Sequence, residues 1–300
     1  MAMSKRAKTV TGRLSLLIVT LIWGSSFVVL KNTLESVTTL YVLAFRFTGA
    51  AALMLLIGFP KIKKLDVDYW KGGALMGLAL FCAYVFQTFG LVHTTPGVNA
   101  FLTATYCILV PFINWGLRKK RPGTRRLVAA VICITGVGLV SVQEDLRIGL
   151  GEGLTLCCGL FYALHILVTN AYVKGRDPLP LTMIQFLTVA VLCWISALTF
   201  EPVPSDIPAE TVWALAYLCV MCTGVCFLLQ TVGQKYTPPS ETAVIMTLES
   251  VFGVIISVLF GERPTERMYL GFVLIFVAIL LSEWQPGTRH KTETGAAENG

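Results

Sequence analysis

One stretch of this chain is used twice, and that fixes its plan. Residues 229–264 read LQTVGQKYTPPSETAVIMTLESVFGVIISVLFGERP, and a shift of 143 positions lays them on residues 86–117. The shift pairs Gln230 with Gln87, Thr231 with Thr88, Gly233 with Gly90, Thr237 with Thr94, Pro239 with Pro96 and Ala243 with Ala100. One deletion later the offset is 142, and Arg263-Pro264 falls on Arg121-Pro122, with Arg267 on Arg125. Both copies run apolar span, Thr-Pro turn, apolar span, Arg-Pro turn, apolar span. Such self-similarity makes the chain two related halves, and every other segment has to be placed relative to them.

The halves have the composition of a membrane protein. Hydrophobic residues make up 55% of the 300 and charged residues 14%, where soluble domains carry about 25% charged. Spans of roughly 20 mostly apolar residues cross a bilayer. Ten are expected, at 14–31, 39–59, 72–92, 97–117, 127–142, 150–173, 179–200, 211–235, 239–260 and 268–284. Each is expected to be helical, because a helix satisfies its own backbone in lipid and nothing here alternates like a barrel strand. The basic head 1–13 resembles the start of a signal peptide, but no small-residue cleavage site follows it and nine more spans do. The expected plan is therefore a cytoplasmic head at 1–13, a first five-helix repeat at 14–142 and an outer connecting loop at 143–149. A second repeat follows at 150–284, and a disordered cytoplasmic tail at 285–300.

Lysine and arginine in the connections give the orientation. With the N-terminus inside, inner segments hold 19 of them and outer segments four: Lys31, Arg147, Arg263 and Arg267. The outer connections carry acidic residues instead, among them Glu144, Asp145, Glu201, Asp206 and Glu210. Both termini are expected in the cytoplasm, of a bacterial-type inner or a plasma membrane. The net charge of +7 is then a topology signal, and nucleic-acid binding has no support. Five spans per half is an odd number, so the second half enters from the opposite side and the repeat is inverted. In transporters of that kind the binding site lies near the midplane, between the halves.

At this point the residues resemble a known family, the EamA-type drug/metabolite transporters, over nearly all of residues 14–284. The resemblance rests on LIWGSSFVVLK (21–31), LAFRF (43–47), the Thr-Pro turn of each half and TLESVFGVIISVLFGERPT (247–265). The last is similar to the family's Leu-Glu-Pro element and Gly-Glu-Arg turn, with Ser250 where the proline would stand. The resemblance implies ten helices around a central cavity, a small-molecule substrate and no nucleotide hydrolysis. It also implies a metabolite exporter more readily than an importer.

Several chemistries lack their motifs. No GxxxxGK[ST] phosphate loop, HExxH or paired His/Cys motif occurs. All nine cysteines lie within apolar stretches, where cysteine behaves as a small hydrophobe and no disulfide framework is expected. Cys219, Cys222 and Cys226 share a helix face at i, i+3, i+7, yet no second helix offers matched metal ligands. Neither a metal nor a cofactor is expected.

Polar residues at membrane depth point to a site. Counting about 1.5 Å per residue puts Trp23, Tyr84, Tyr106, Tyr162 and Glu249 near the middles of their spans. Gln87 lies one turn from Tyr84 and His165 one turn from Tyr162, and Gln230 is the repeat partner of Gln87. These eight residues are the candidate substrate-binding set, an aromatic-walled midplane cavity with a few orienting polar groups. The bland alternative is that the aromatics fill helix contacts and the glutamines bond between helices. His165, which changes charge near neutral pH, is either a proton carrier or a packing residue. Arg46 and Glu249 are the charged residues deepest in spans, where charge is costly and commonly functional. Arg46 lies seven residues from Thr39, about 10 Å below the outer surface, near enough to snorkel outward. Gly73 and Gly77 form a small-xxx-small pair that suits packing within one bundle as well as a dimer.

The expectation is a secondary transporter that moves a small organic metabolite (an amino acid, nucleobase or similar) by alternating access, and is not an enzyme. Its rivals are an intramembrane enzyme acting on lipid and a membrane receptor or scaffold that binds without flux.

Overall fold

A computed structural model describes residues 5–59, 65–119, 121–141, 148–173, 175–237 and 245–283. Its regular elements are helices: α1 (Lys5–Thr33), α2 (Thr39–Gly58), α3 (Val67–Val92), α4 (Pro96–Thr103), α5 (Tyr106–Arg118) and α6 (Thr124–Ser141). They continue as α7 (Leu150–Tyr172), α8 (Pro178–Phe200), α9 (Ala209–Tyr217), a π-helical segment (Leu218–Val225), α10 (Cys226–Tyr236), α11 (Leu248–Leu259) and α12 (Glu266–Glu283). Among the described residues, seven stretches are long and apolar enough to cross a membrane. They are most of α1, then α2, α3, α7 and α8, the pair α4–α5 over Pro96–Gly116, and the run from α9 to α10 over Ala209–Gln234. The fifth and tenth expected spans are also helical, at 18 residues each in α6 and α12, and the described part of the ninth includes the 12-residue α11.

Helix starts follow local chemistry. Asp66 caps α3 by accepting the Tyr69 amide at 2.9 Å, and Asp177 caps α8 by accepting that of Leu179 at 3.1 Å. Proline opens α4 and α8, where its missing N–H costs nothing. Helix α1 begins at Lys5, within the stretch expected as a cytoplasmic head, and α3 begins at Val67, ahead of the apolar span expected from residue 72. Most of the outer loop 143–149, the Pro238-Pro239 turn, Lys61–Lys64 and the tail 285–300 lie outside the described residues.

The fourth span breaks at Ala104–Thr105, where the Thr105 hydroxyl donates back to the Leu102 carbonyl at 2.6 Å. The break recurs 143 positions later at Thr247, just before α11. There Ser250 directs both its hydroxyl (2.8 Å) and its amide (3.1 Å) to the Thr247 carbonyl. A hydroxyl competing for helix carbonyls interrupts the ladder without a proline.

The bundle has two cores. One gathers α1, α2, α3, α8, the π segment and α10; the other gathers α4, α5, α6, α7, α11 and α12. Tyr162 packs against both. Helix α3 crosses α8 closely: a Cβ at Gly77 would lie 2.8 Å from the Gln185 carbonyl oxygen. The Gly73/Gly77 pair is thus a contact inside one bundle.

Segments that charge assigns to one side gather at one end. The Lys31 ammonium donates to the carbonyls of Leu91 (2.7 Å), Val92 and Thr94 (both 3.0 Å), and the Thr94 hydroxyl donates to Glu152 (2.7 Å). Glu262 accepts from the Thr95 hydroxyl (2.6 Å) and the Gly97 amide (2.9 Å), while Glu201 accepts from the Leu40 and Tyr41 amides. At the other end Arg176 pairs with Asp68 at 2.6 Å, and the Asp177 amide donates to the Tyr69 hydroxyl oxygen at 2.9 Å.

Candidate functional site

A cavity of about 40 Å³ lies where the two cores meet. All eight residues of the expected set line it: Trp23, Tyr84, Gln87, Tyr106, Tyr162, His165, Gln230 and Glu249. Helical spacing explains the α1 wall, since Ser26, Phe27 and Leu30 follow Trp23 by three, four and seven residues and line the cavity too. Tyr162 joins two walls, with ring centroids 5.8 Å from Tyr84 and 6.2 Å from Tyr106.

The halves contribute matched positions. Five pairs of lining residues stand 143 apart in the chain: Trp23 with Ile166, Tyr84 with Phe227, Gln87 with Gln230, Thr103 with Met246 and Tyr106 with Glu249. Phe227 and Met246 are absent from the expected set. The repeat signal reaches Phe227, because extending the Gln87–Gln230 offset by one turn gives Tyr84–Phe227; Met246 is the counterpart of Thr103, itself outside that set.

Arg46 does not snorkel. It is 2% exposed and turns inward, its Nε donating to the Thr223 hydroxyl at 2.5 Å and an Nη to the Tyr84 hydroxyl at 3.2 Å. Its guanidinium carbon lies 4.8 Å from the centre of the Tyr84 ring, in cation–π range. The cause is the π segment. Its wider turn lets the Thr223 hydroxyl donate to the Leu218 carbonyl at 2.8 Å, five residues back, and accept from Arg46. The same segment presents the Cys222 carbonyl to the Trp23 indole N–H at 2.7 Å. It also breaks the α periodicity that put Cys219, Cys222 and Cys226 on one face, since Cys219 and Cys222 lie within it. Among the described residues no three His, Cys, Asp or Glu side chains group as metal ligands.

The two glutamines differ. Gln87 accepts from the Tyr162 hydroxyl at 2.9 Å and donates to the Thr103 hydroxyl at 3.2 Å, and its own carbonyl accepts from Asn99 at 3.2 Å. Gln230 has no side-chain hydrogen bond among the described residues, although it is buried. His165 bonds Gln185 at 2.8 Å. Arg46 and Glu249, from opposite halves, are the charged side chains in the lining, and no ion pair joins them. Chemically, this is an aromatic-walled chamber with one cation, one carboxylate and one unengaged amide.

Comparison with known proteins decides the family. The EamA-like transporter family matches residues 10–142 and again residues 149–284. The chain belongs to the EamA-like transporter family. Its likeness extends to whole relatives. An uncharacterized transporter of Archaeoglobus fulgidus is 32% identical over 89% of this chain and 84% of its own. The uncharacterized transporter YyaM of Bacillus subtilis is 27% identical (86% and 88%), and YoaV of the same organism 24% (90% and 95%). A solved crystal structure superposes with a TM-score of 0.64 at 16% identity, over 90% of this chain and 96% of its own, a likeness of fold alone. Family and apolar helices together make this EamA protein a multi-pass membrane transporter.

Proposed function

We propose that the chain is a secondary transporter that exports a small organic metabolite by alternating access around the central cavity. The observation that carries this is the lining itself: five repeat-related pairs of residues enclose a chamber holding Arg46 and Glu249, with no ion pair between them among the described residues. A small zwitterion matches that charge arrangement best, its anionic end toward Arg46 and its ammonium toward Glu249 and the aromatic faces. An amino acid is the simplest example. The cavity has room for a few water molecules, so an organic solute enters only as the lining helices move, which suits alternating access.

The architecture proposed with this function is two inverted five-helix repeats with both termini in the cytoplasm. Support comes from the 143-residue offset, from the matching breaks at Ala104 and Thr247, and from equivalent packing of α3 on α7 and of α10 on α1. The proposed binding set is Trp23, Tyr84, Gln87, Tyr106, Tyr162, His165, Gln230 and Glu249, joined by Arg46 and Phe227.

The test is flux in liposomes, screened across amino acids, nucleobases and cationic drugs. The wild-type protein is expected to move at least one solute class, and Glu249→Gln to insert and fold but lose most of that flux. Normal flux in Glu249→Gln, at equal protein level and from mildly acidic to mildly alkaline pH, removes Glu249 from the mechanism. Binding without flux in the wild type points to a receptor.

A further inference from the structure

A second, smaller cavity of about 10 Å³ adjoins the first, sharing His165, Ile166, Phe227 and Gln230 with it. Its other walls include Thr169, Gln185 and Gln234. Thr169 lies three residues from the end of α7 and Gln234 two from the end of α10. The cavity therefore sits between the central chamber and the end of the bundle that carries Arg176 and Asp68.

Its chemistry differs from that of the chamber. Among the described residues no acidic or basic side chain apart from His165 lines it, and the Gln185 amide oxygen faces the His165 imidazole at 2.8 Å. The Thr169 hydroxyl is buried, at 6% residue exposure, and has no hydrogen-bond partner among the described residues. A buried hydroxyl left without a partner beside a polar cavity favours a hydrogen-bonding guest there, since burying it unpaired is costly. The cavity holds about one water-sized group.

Phe227 forms the partition. It lines both cavities, is 2% exposed, and is wedged edge-on against Trp23 (5.2 Å) and Phe186 (5.5 Å). Its repeat counterpart Tyr84 carries a hydroxyl tied to Arg46, whereas phenylalanine has no such tether. The ring is held by packing alone, so it can swing aside without breaking a hydrogen bond.

We infer that the second cavity is a polar subsite for one water-sized uncharged hydrogen-bonding group, a hydroxyl, an amide or water, between the central chamber and the Arg176–Asp68 end, and that Phe227 closes it off. The inference rests on the transport reading above, but its test needs no flux. The probe is hydroxyethyl methanethiosulfonate, small and uncharged, with labelled peptides located by mass spectrometry in the full-length protein in membranes.

Thr169→Cys is expected to react about tenfold or more faster than Thr182→Cys, a buried threonine that lines neither cavity; tenfold corresponds to roughly 1.4 kcal/mol of barrier. The charged sulfonatoethyl reagent is expected to lose far more speed at Thr169→Cys than at the exposed Thr38→Cys. Phe227→Ala is expected to speed labelling of Ser26→Cys in the central chamber, and Phe227→Leu to do so by less. Should Phe227→Ala fail to fold, Phe227→Leu alone carries that comparison. The subsite is overturned if Thr169→Cys reacts no faster than Thr182→Cys, and the partition if no folded Phe227 variant changes Ser26→Cys. Solute flux with an unreactive Thr169→Cys sinks the subsite alone, while the expected labelling without any flux leaves the subsite and removes the transport reading.

Discussion

Arg46 on α2 and Thr223 on the π segment are joined by a 2.5 Å hydrogen bond from the guanidinium Nε to the threonine hydroxyl oxygen. The bond ties a helix of the first half to the π segment of the second beside the central chamber. Thr223 is itself held by its bond to the Leu218 carbonyl, so the π turn acts as a bracket for the charge. This relationship makes Thr223, a residue outside the cavity lining, a positioning residue for Arg46.

Thr223→Val keeps the side-chain shape and removes the oxygen. The buried guanidinium then loses one partner, a loss of about 1.5–3 kcal/mol for a hydrogen bond to a charged group. A lower thermal midpoint of the detergent-solubilised protein and weakened flux are expected, with Thr223→Ser restoring both. If Thr223→Val matches wild type in both measurements, the bracket has no role.

The glutamines separate structure from binding. Gln87→Ala removes the acceptor of the Tyr162 hydroxyl and one of two hydrogen bonds of the Thr103 hydroxyl, which keeps Cys158 Sγ, and is expected to lower the thermal midpoint. Gln230→Ala breaks no hydrogen bond among the described residues, so its thermal midpoint is expected to stay near wild type while flux or its apparent affinity changes. Equal stability losses in the two variants would contradict the asymmetry of the chamber.

Close approach of α3 and α8 depends on Gly77. A Cβ there meets the Gln185 carbonyl at 2.8 Å and the Thr188 Cβ at 2.6 Å, both parts of a helix that cannot shift cheaply. Gly77→Leu is expected to cost on the order of 1–3 kcal/mol by overpacking, seen as a lower yield of monodisperse protein. Gly138→Leu, where a Cβ meets nothing within 4 Å, is the comparison and is expected to behave as wild type.

Orientation is tested by labelling. Single cysteines at Glu201 or Asp206 in a cysteine-free protein are expected to react with an impermeant thiol reagent in intact cells, and one at Gly123 only after permeabilisation. The opposite pattern reverses the assignment of both termini to the cytoplasm.

Energy coupling follows from a missing motif. The sequence has no phosphate-cradling loop, so flux by the purified protein is expected to be independent of ATP and to follow a solute or ion gradient. ATP-dependent flux by this chain alone would end the secondary-transport reading.

The amino-acid sequence alone determined the quantities that run along one axis. Apolar run length gives the spans, lysine and arginine spacing sorts their connections, and helix rise places Trp23, Tyr84, Tyr106, Tyr162 and Glu249 at one depth. The 143-residue offset adds which positions in the halves are equivalent, and with it Phe227 was within reach. Tertiary structure decided everything that depends on direction around a helix and on the neighbour met there. Arg46 sits at a depth from which it can reach water, yet Thr223 and Tyr84 turn it inward. Gln87 and Gln230 are equivalent in sequence, but Tyr162 and Thr103 engage just the first. The cysteine face assumed 3.6 residues per turn, and the π segment changes that pitch where Arg46 needs a partner. Depth is additive along the chain and can be counted from residues. Hydrogen-bond satisfaction is a pairwise property of side chains more than a hundred residues apart, and it exists only once the helices are packed.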